Sequence, residues 1–262
     1  MLNKFNVVDL SDNEMNEYLC CLKTWDDSFY SERKRKWYNK KVKQGLCVKI
    51  IKDEKENVLG MAQYLPAKET FIEGENIFFI QCIWVHGYDK GFGNVQGRGL
   101  GTLLLKEVEK DVKRKGIGAL AAWGMSFQEW MPVSWYIKHG YNEIDRDGMK
   151  ILVWKKFNDT VVKPKFIKPK KLPDTIKGKV LVTVFNDGWC QDPNIEIDLT
   201  KKIVKEYGNK VIYKEYDTSD RDVLKEWGID NAILVDNEWL TFGPYSVEDQ
   251  LRELIEEKIK KL

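Results

Sequence analysis

Ile77-Phe78-Phe79-Ile80-Gln81-Cys82-Ile83-Trp84-Val85 runs into Gly91-Phe92-Gly93-Asn94-Val95-Gln96-Gly97-Arg98-Gly99-Leu100-Gly101, and then into Thr102–Gly116, TLLLKEVEKDVKRKG. The first stretch is nearly continuously apolar and predicts a central strand. The third repeats Leu104 and Val108 at i, i+4, with Leu103 beside them, and ends at Gly116. That pattern predicts an amphipathic helix closed by a glycine. The order is therefore strand, glycine-rich loop, long helix.

Working outward, Phe5–Leu10 reads as a strand, Asn13–Leu22 and Glu32–Lys43 as helices, and Cys47–Lys52 with Val58–Leu65 as a hairpin. Gly118–Trp123 reads as a buried strand and Pro132–Lys138 as a short helix ended by Gly140. Tyr141–Phe157 reads as a hairpin turning at Asp147-Gly148.

The glycines let successive backbone N–H groups turn toward one point, and a helix start adds unpaired N–H groups and the positive end of its dipole. Together they predict a pyrophosphate site. A Rossmann fingerprint does not fit, since the loop follows a late strand and no acidic residue ends a strand about 20 residues on. A Walker loop does not fit either, because no Gly-Lys-Ser/Thr follows. The alternative is a flexible loop that needs glycine only to turn.

The spacing Gln96-x-x-Gly99-x-Gly101 resembles the acetyl-coenzyme A loop of the GCN5-related N-acetyltransferases (GNAT), and residues 1–157 are similar to that family throughout. Pro132-Val133-Ser134-Trp135-Tyr136-Ile137-Lys138-His139-Gly140-Tyr141 looks like its short tyrosine-bearing helix. The resemblance implies an α+β fold, the GNAT acyl-CoA N-acyltransferase fold with a mixed, mostly antiparallel sheet. It implies acetyl-CoA as acyl donor, with no metal. Backbone groups of Ile83, Trp84 and Val85 would pair with the pantetheine arm and polarise the thioester carbonyl. The N–H groups of Val95, Gln96, Gly97, Arg98, Gly99, Leu100 and Gly101, with Thr102, would hold the pyrophosphate. Tyr136 would protonate the departing thiolate; its alternative is a core aromatic. Many members carry asparagine seven residues before that tyrosine, where this chain has Glu129, and a small alanine where it has Pro132. An amine must lose a proton before attack. Glu129 and His86 are candidate bases, as are Asp26 and Asp27, and a water relay is the alternative to any single side chain. Trp123, Phe127, Trp130 and Trp135 either face the acceptor or fill the core.

Between Asn158 and Gly178, Pro164, Pro169 and Pro173 alternate with six lysines, which predicts an extended, exposed linker. Beyond it, Lys179–Phe185, Ile195–Tyr207, Lys210–Tyr216, Arg221–Trp227, Ala232–Val235 with Trp239–Phe242, and Val247–Lys260 give β-α-β-α-β-β-α. That order, and Trp189-Cys190 after the first strand, resemble a smaller thioredoxin-like α/β domain over 178–262. Placed after an acetyltransferase, it is similar to a YoaP-like domain. Pro193 stands where the second redox cysteine would be, so an internal disulfide is not expected. The domain is expected to shape the acceptor cleft or to mediate a homodimer.

The 262 residues carry 43 Lys+Arg against 41 Asp+Glu, a balance that argues against a nucleic-acid binder held by bulk charge. No stretch approaches the ~20 apolar residues of a membrane span. Five cysteines without C-x-x-C and two histidines argue against a disulfide framework or zinc site. The expected protein is cytoplasmic, off the membrane, and moves acetyl from acetyl-CoA to an amine of a small molecule or peptide. The competing readings are a non-catalytic acyl-CoA sensor and a monothiol redox protein acting through Cys190.

Overall fold

A computed structural model describes residues 5–29, 32–128, 130–240 and 246–262. They divide into two units, one of 1–28 with 38–166 and one of 29–37 with 167–262.

The first unit holds β1 (Asn6–Asp9), α1 (Met15–Leu19), part of α2 (Glu32–Val42), β2 (Cys47–Lys52), β3 (Val58–Pro66), β4 (Ile72–Glu73), β5 (Ile77–Val85), α3 (Leu100–Arg114), β6 (Ala119–Met125), α4 (Val133–Lys138), β7 (Asn142–Asp147), β8 (Lys150–Lys156) and β9 (Lys165–Phe166). Seven strands form one sheet in the order β1-β2-β3-β5-β6-β8-β7. Only β5 and β6 run parallel. The sheet is thus mixed and mostly antiparallel, as expected of the GNAT fold.

The parallel pairing is short. It joins Ile77–Ile80 to Ala119–Ala122 and stops, although β5 continues to Val85 and β6 to Met125. At the same level the β3–β5 register shifts, so that Gln63 faces Cys82 while Tyr64 faces Ile80. Gln81 is therefore the extra residue of a bulge, which bends a strand and sharpens its twist. The two strands splay from that point.

Helix α3 crosses the sheet on Leu100, Leu104, Leu105, Val108 and Val112, all buried. Leu103, expected on that face, is 40% exposed. Successive helical residues are rotated by about 100°, and a face centred on Leu104 and Val108 takes Leu105 and leaves Leu103 on its flank. The first helix is also shorter than expected. A capping box of Ser11 and Glu14 opens the 3-10 turn Asp12–Glu14 that precedes it, and Cys21 and Leu22 follow its end with φ of +49° and +68°.

The segment after Asn158 is more than a tether. β9 pairs antiparallel with β4, and Phe166 stacks on Phe71 with centroids 6.1 Å apart. Pro164, Ile167 and Pro173 are buried. An apolar side chain every few residues gives this lysine-rich stretch something to bury.

In the second unit β10 (Val180–Asn186), α5 (Gln191–Glu206), β11 (Val211–Asp217), α6 (Arg221–Trp227), β12 (Ala232–Val235), β13 (Glu238–Trp239) and α7 (Val247–Ile259) follow in that order. Their sheet is ordered β11-β10-β12-β13, with β10 parallel to β11 and antiparallel to β12. Val180, Val182 and Val184 pack with Ile197, Ile203, Leu251 and Ile255 of α5 and α7. Phe185 and Leu234 pack with Trp227 of α6. Both faces being covered explains why β10 is apolar at nearly every position. Phe242, in the expected last hairpin, lies outside the described residues.

Candidate active site

The gap between β5 and β6 opens onto a cleft of about 450 Å³ lined by Ile83, Trp84, Val85, Gln96, Gly97, Gly99, Leu100, Gly101, Thr102, Met131, Pro132, Trp135 and Tyr136. One wall is the unpaired edge of β5. Val85 offers its carbonyl on that edge, because the Gln96 side-chain amide donates to it at 3.0 Å. Backbone groups alternate sides along a strand, so the peptide groups of Ile83 face the same way.

The second wall belongs to α4 and the residues before it. The chain after β6 curls back until the Met125 N–H donates to the Met131 carbonyl at 2.8 Å. Met131 takes φ +44° to make this turn. Gly124 is required beneath it, since a Cβ there would lie 2.8 Å from the Met131 oxygen and 2.9 Å from the Val133 backbone.

The floor is the start of α3. Its first closing bond is Leu103 N–H to the Gly99 carbonyl at 3.1 Å. Among the described residues, the N–H groups of Gly97 to Thr102 donate to no backbone or side-chain acceptor. Gly97 and Gly99 have φ of +76° and +79°, and a Cβ on either would enter open space. Open N–H donors at the positive end of a helix are the groups that would hold an anion such as a diphosphate.

The structure narrows the expected set. The Val95 N–H donates to the His86 carbonyl at 3.0 Å and its side chain is buried, so Val95 does not line the cleft. The Gln96 N–H donates to Asn94 Oδ1 at 2.9 Å, and its side chain crosses Gly87 to reach Val85. Gln96 therefore ties the loop to β5. The Arg98 N–H is one of the six open donors, but its residue is exposed and outside the lining.

Tyr136 is buried at 2% exposure, lines the cleft, and has a hydroxyl without a hydrogen-bond partner. Burial, with a smaller contribution from the Cys82 thiol, pushes its pKa well above the usual phenol value. The phenol is thus protonated at neutral pH. Glu129 lies outside the described residues.

His86 is fully buried and does not line the cleft. Its Nδ1 lies 3.0 Å from the Gly93 carbonyl, which can only accept, so Nδ1 carries the proton. Burial lowers its pKa, against the raising effect of that bond. Its ring packs among Trp25, Tyr88 and Phe92. His86 thus folds the loop between Val85 and Gln96. Asp26 binds Ser28 and, like Asp27, is outside the lining. Of the four expected aromatics only Trp135 lines the cleft; Trp123 is buried, with Trp130 edge-on to it.

Two features were not legible beforehand. Thr102 Oγ1 lies 2.9 Å from His139 Nε2, and His139 Nδ1 lies 2.7 Å from the Trp135 carbonyl. Only the i, i+4 spacing of Trp135 and His139 hinted at the second contact.

The sequence profile of the acetyltransferase (GNAT) family matches residues 11–141, half of the chain. The chain belongs to this family. In the GNAT chain the matched span contains the fork, the glycine loop and α4. No curated protein matches it. Solved structures similar to it include the N-acetyltransferase YhbS from Escherichia coli in complex with CoA, at 13% identity and TM-score 0.45, covering 63% of this chain and 91% of that one. A putative GNAT acetyltransferase from Desulfovibrio desulfuricans gives 18% identity and TM-score 0.44, covering 58% and 99%. The PaiA N-acetyltransferase from Thermoplasma acidophilum in complex with coenzyme A gives 18% and 0.40, covering 59% and 99%.

Cys190 belongs to the second unit, where it caps the N-terminus of α5 with its backbone and is in no disulfide. Among the described residues no cluster of three His, Cys, Asp or Glu side chains is placed to hold a metal, and no helix is long and apolar enough to cross a membrane.

Proposed function

We propose that this GNAT protein is an N-acetyltransferase that takes acetyl from acetyl-CoA and passes it by direct attack to an amine of a small molecule or peptide. The observation that carries the reading is the run of open N–H groups from Gly97 to Thr102 at the foot of a fork whose β5 edge is unpaired. Acetyl-CoA supplies an activated thioester. The α3 amides hold its diphosphate, and the Ile83–Val85 edge takes the pantetheine amides as a neighbouring strand would. An N–H of that edge stabilises negative charge developing on the carbonyl oxygen. Tyr136 donates its proton to the departing sulfur. Glu129 is the proposed base, and Trp135, Met131 and Pro132 give the cleft a partly apolar lining.

We further infer that the second unit is a thioredoxin-like, YoaP-like domain. Its element order and its sheet order β11-β10-β12-β13 support this reading. It serves the transferase as acceptor-binding or homodimer surface, in a cytoplasmic enzyme without metal.

The test is thiol release by the full chain from acetyl-CoA with a panel of primary amines, beside a thermal-shift titration with coenzyme A. Saturation to 100 times Kd stabilises the native state by about 2.7 kcal/mol. Binding without thiol release for any amine would leave the acyl-CoA sensor, and no thermal shift would remove the reading.

A further inference from the structure

His139 stands between two groups that constrain its protons differently. The Trp135 carbonyl, 2.7 Å from Nδ1, is an acceptor only, so Nδ1 is protonated in either charge state. Nε2 faces Thr102 Oγ1 at 2.9 Å. With a neutral ring Nε2 is an acceptor and Thr102 must donate to it. The threonine oxygen then turns only lone pairs toward a floor whose other groups, from Gly97 to Thr102, are N–H donors. An arriving phosphate oxygen also needs a donor. Thr102 can give its proton to that oxygen and keep its bond to His139 only if Nε2 becomes the donor to Oγ1, which requires an imidazolium.

Resting on the reading above, we propose that His139, acting through Thr102, couples coenzyme binding to uptake of a proton: the ring is neutral in the free protein and charged when a diphosphate engages the threonine. The balance is simple. One proton passes from solvent to Nε2, the Thr102 O–H rotates from Nε2 to the phosphate oxygen, and no covalent bond to carbon or phosphorus changes. The surroundings fit the switch. The positive end of α3 opposes a charged ring while the site holds no anion. Lys155 of β8 donates to the His139 carbonyl at 3.0 Å and is itself held by Glu109 of α3, while Lys138 precedes the ring on α4 and is exposed. Neither lysine can accept from the ring. Trp135 packs on the imidazole with centroids 4.5 Å apart and holds its plane. His139 is a positioning residue, since it reaches the ligand only through Thr102.

The experiment is calorimetric titration of the full chain with coenzyme A between pH 6 and 8, in buffers of different ionisation enthalpy, for the wild type, Thr102→Val and His139→Gln. Ionisation of coenzyme A itself contributes equally to all three and cancels in the difference. Wild type should take up on the order of one proton more per bound coenzyme than either variant, and its affinity should gain up to about tenfold more per pH unit lowered. Equal proton uptake in wild type and both variants overturns the proposal while leaving coenzyme binding intact. No binding by the wild type overturns the functional reading and this inference with it. Should His139→Gln not fold, Thr102→Val, which keeps the ring, decides the matter.

Discussion

The indole N–H of Trp123 donates to the backbone carbonyl of Gln81 at 2.9 Å, beside the last residue pair joining β5 to β6. A side chain thus takes over the ladder where the two backbones part. It satisfies the bulged residue's carbonyl and lets the strands separate without an orphaned acceptor.

Trp123→Phe keeps most of the ring and removes that donor. A buried acceptor left unmade costs about 1–3 kcal/mol, so the urea midpoint should fall by a corresponding amount. Coenzyme affinity should fall with it, because the fork is set at this point. An unchanged midpoint would show that the indole bond does not hold the fork.

Tyr136→Phe should separate activity from stability. The hydroxyl is buried without a partner, so its removal is expected to be neutral or slightly stabilising in a thermal melt. Loss of the proton donor should lower kcat by about 10²–10⁴ with little change in acetyl-CoA affinity. Equal turnover in the two proteins would take Tyr136 out of the chemistry.

Gly124→Ala should act on the opposite wall. Its new Cβ meets backbone atoms of Met131 and Val133 inside 3.0 Å, and backbone cannot rotate away. Overpacking of this kind costs about 1–3 kcal/mol. Displacing the Met131–Pro132 wall should also raise KM for the acceptor more than for acetyl-CoA. A variant as stable as wild type with unchanged KM values would refute the close contact.

Asp111 on α3 gives a pH prediction. Burial pushes its carboxyl up, but hydrogen bonds from Lys115 and the Tyr64 hydroxyl outweigh that and hold it below the usual range. A depressed carboxylate contributes stability that is present above its unfolded pKa of about 3.9 and is lost as pH falls through the lower folded value. Wild type should therefore lose stability below about pH 4 more steeply than Asp111→Asn, in denaturant melts at each pH. Parallel curves would show that this carboxylate is not what the acid limb reports.

The pieces of this fold were legible in local pattern. The apolar run Ile77–Val85, the i, i+4 spacing after Gly101, and Asp147-Gly148 each specify an element through contacts a few residues long. Gln96, Gly99 and Gly101 announced the loop because a backbone that must present its own N–H groups needs glycine at fixed intervals. What local pattern could not carry was which groups would already be engaged. Val95 and Gln96 sit inside the glycine-rich stretch, yet their N–H groups go to His86 and Asn94, through a loop fold set by a histidine buried among aromatics. The contact of His139 with Thr102 was not legible, because the two are 37 residues apart on different elements.

Sequence alone determined the order strand, glycine loop, long helix, and the tyrosine-bearing helix after it, since each depends on side-chain periodicity or backbone freedom over a short span. Only the tertiary structure decided that β5 and β6 part at Gln81, that six amides at the foot of α3 stay open, and that Thr102 meets His139. Those facts depend on which distant groups compete for each donor and acceptor, and that competition is settled only when the chain is packed.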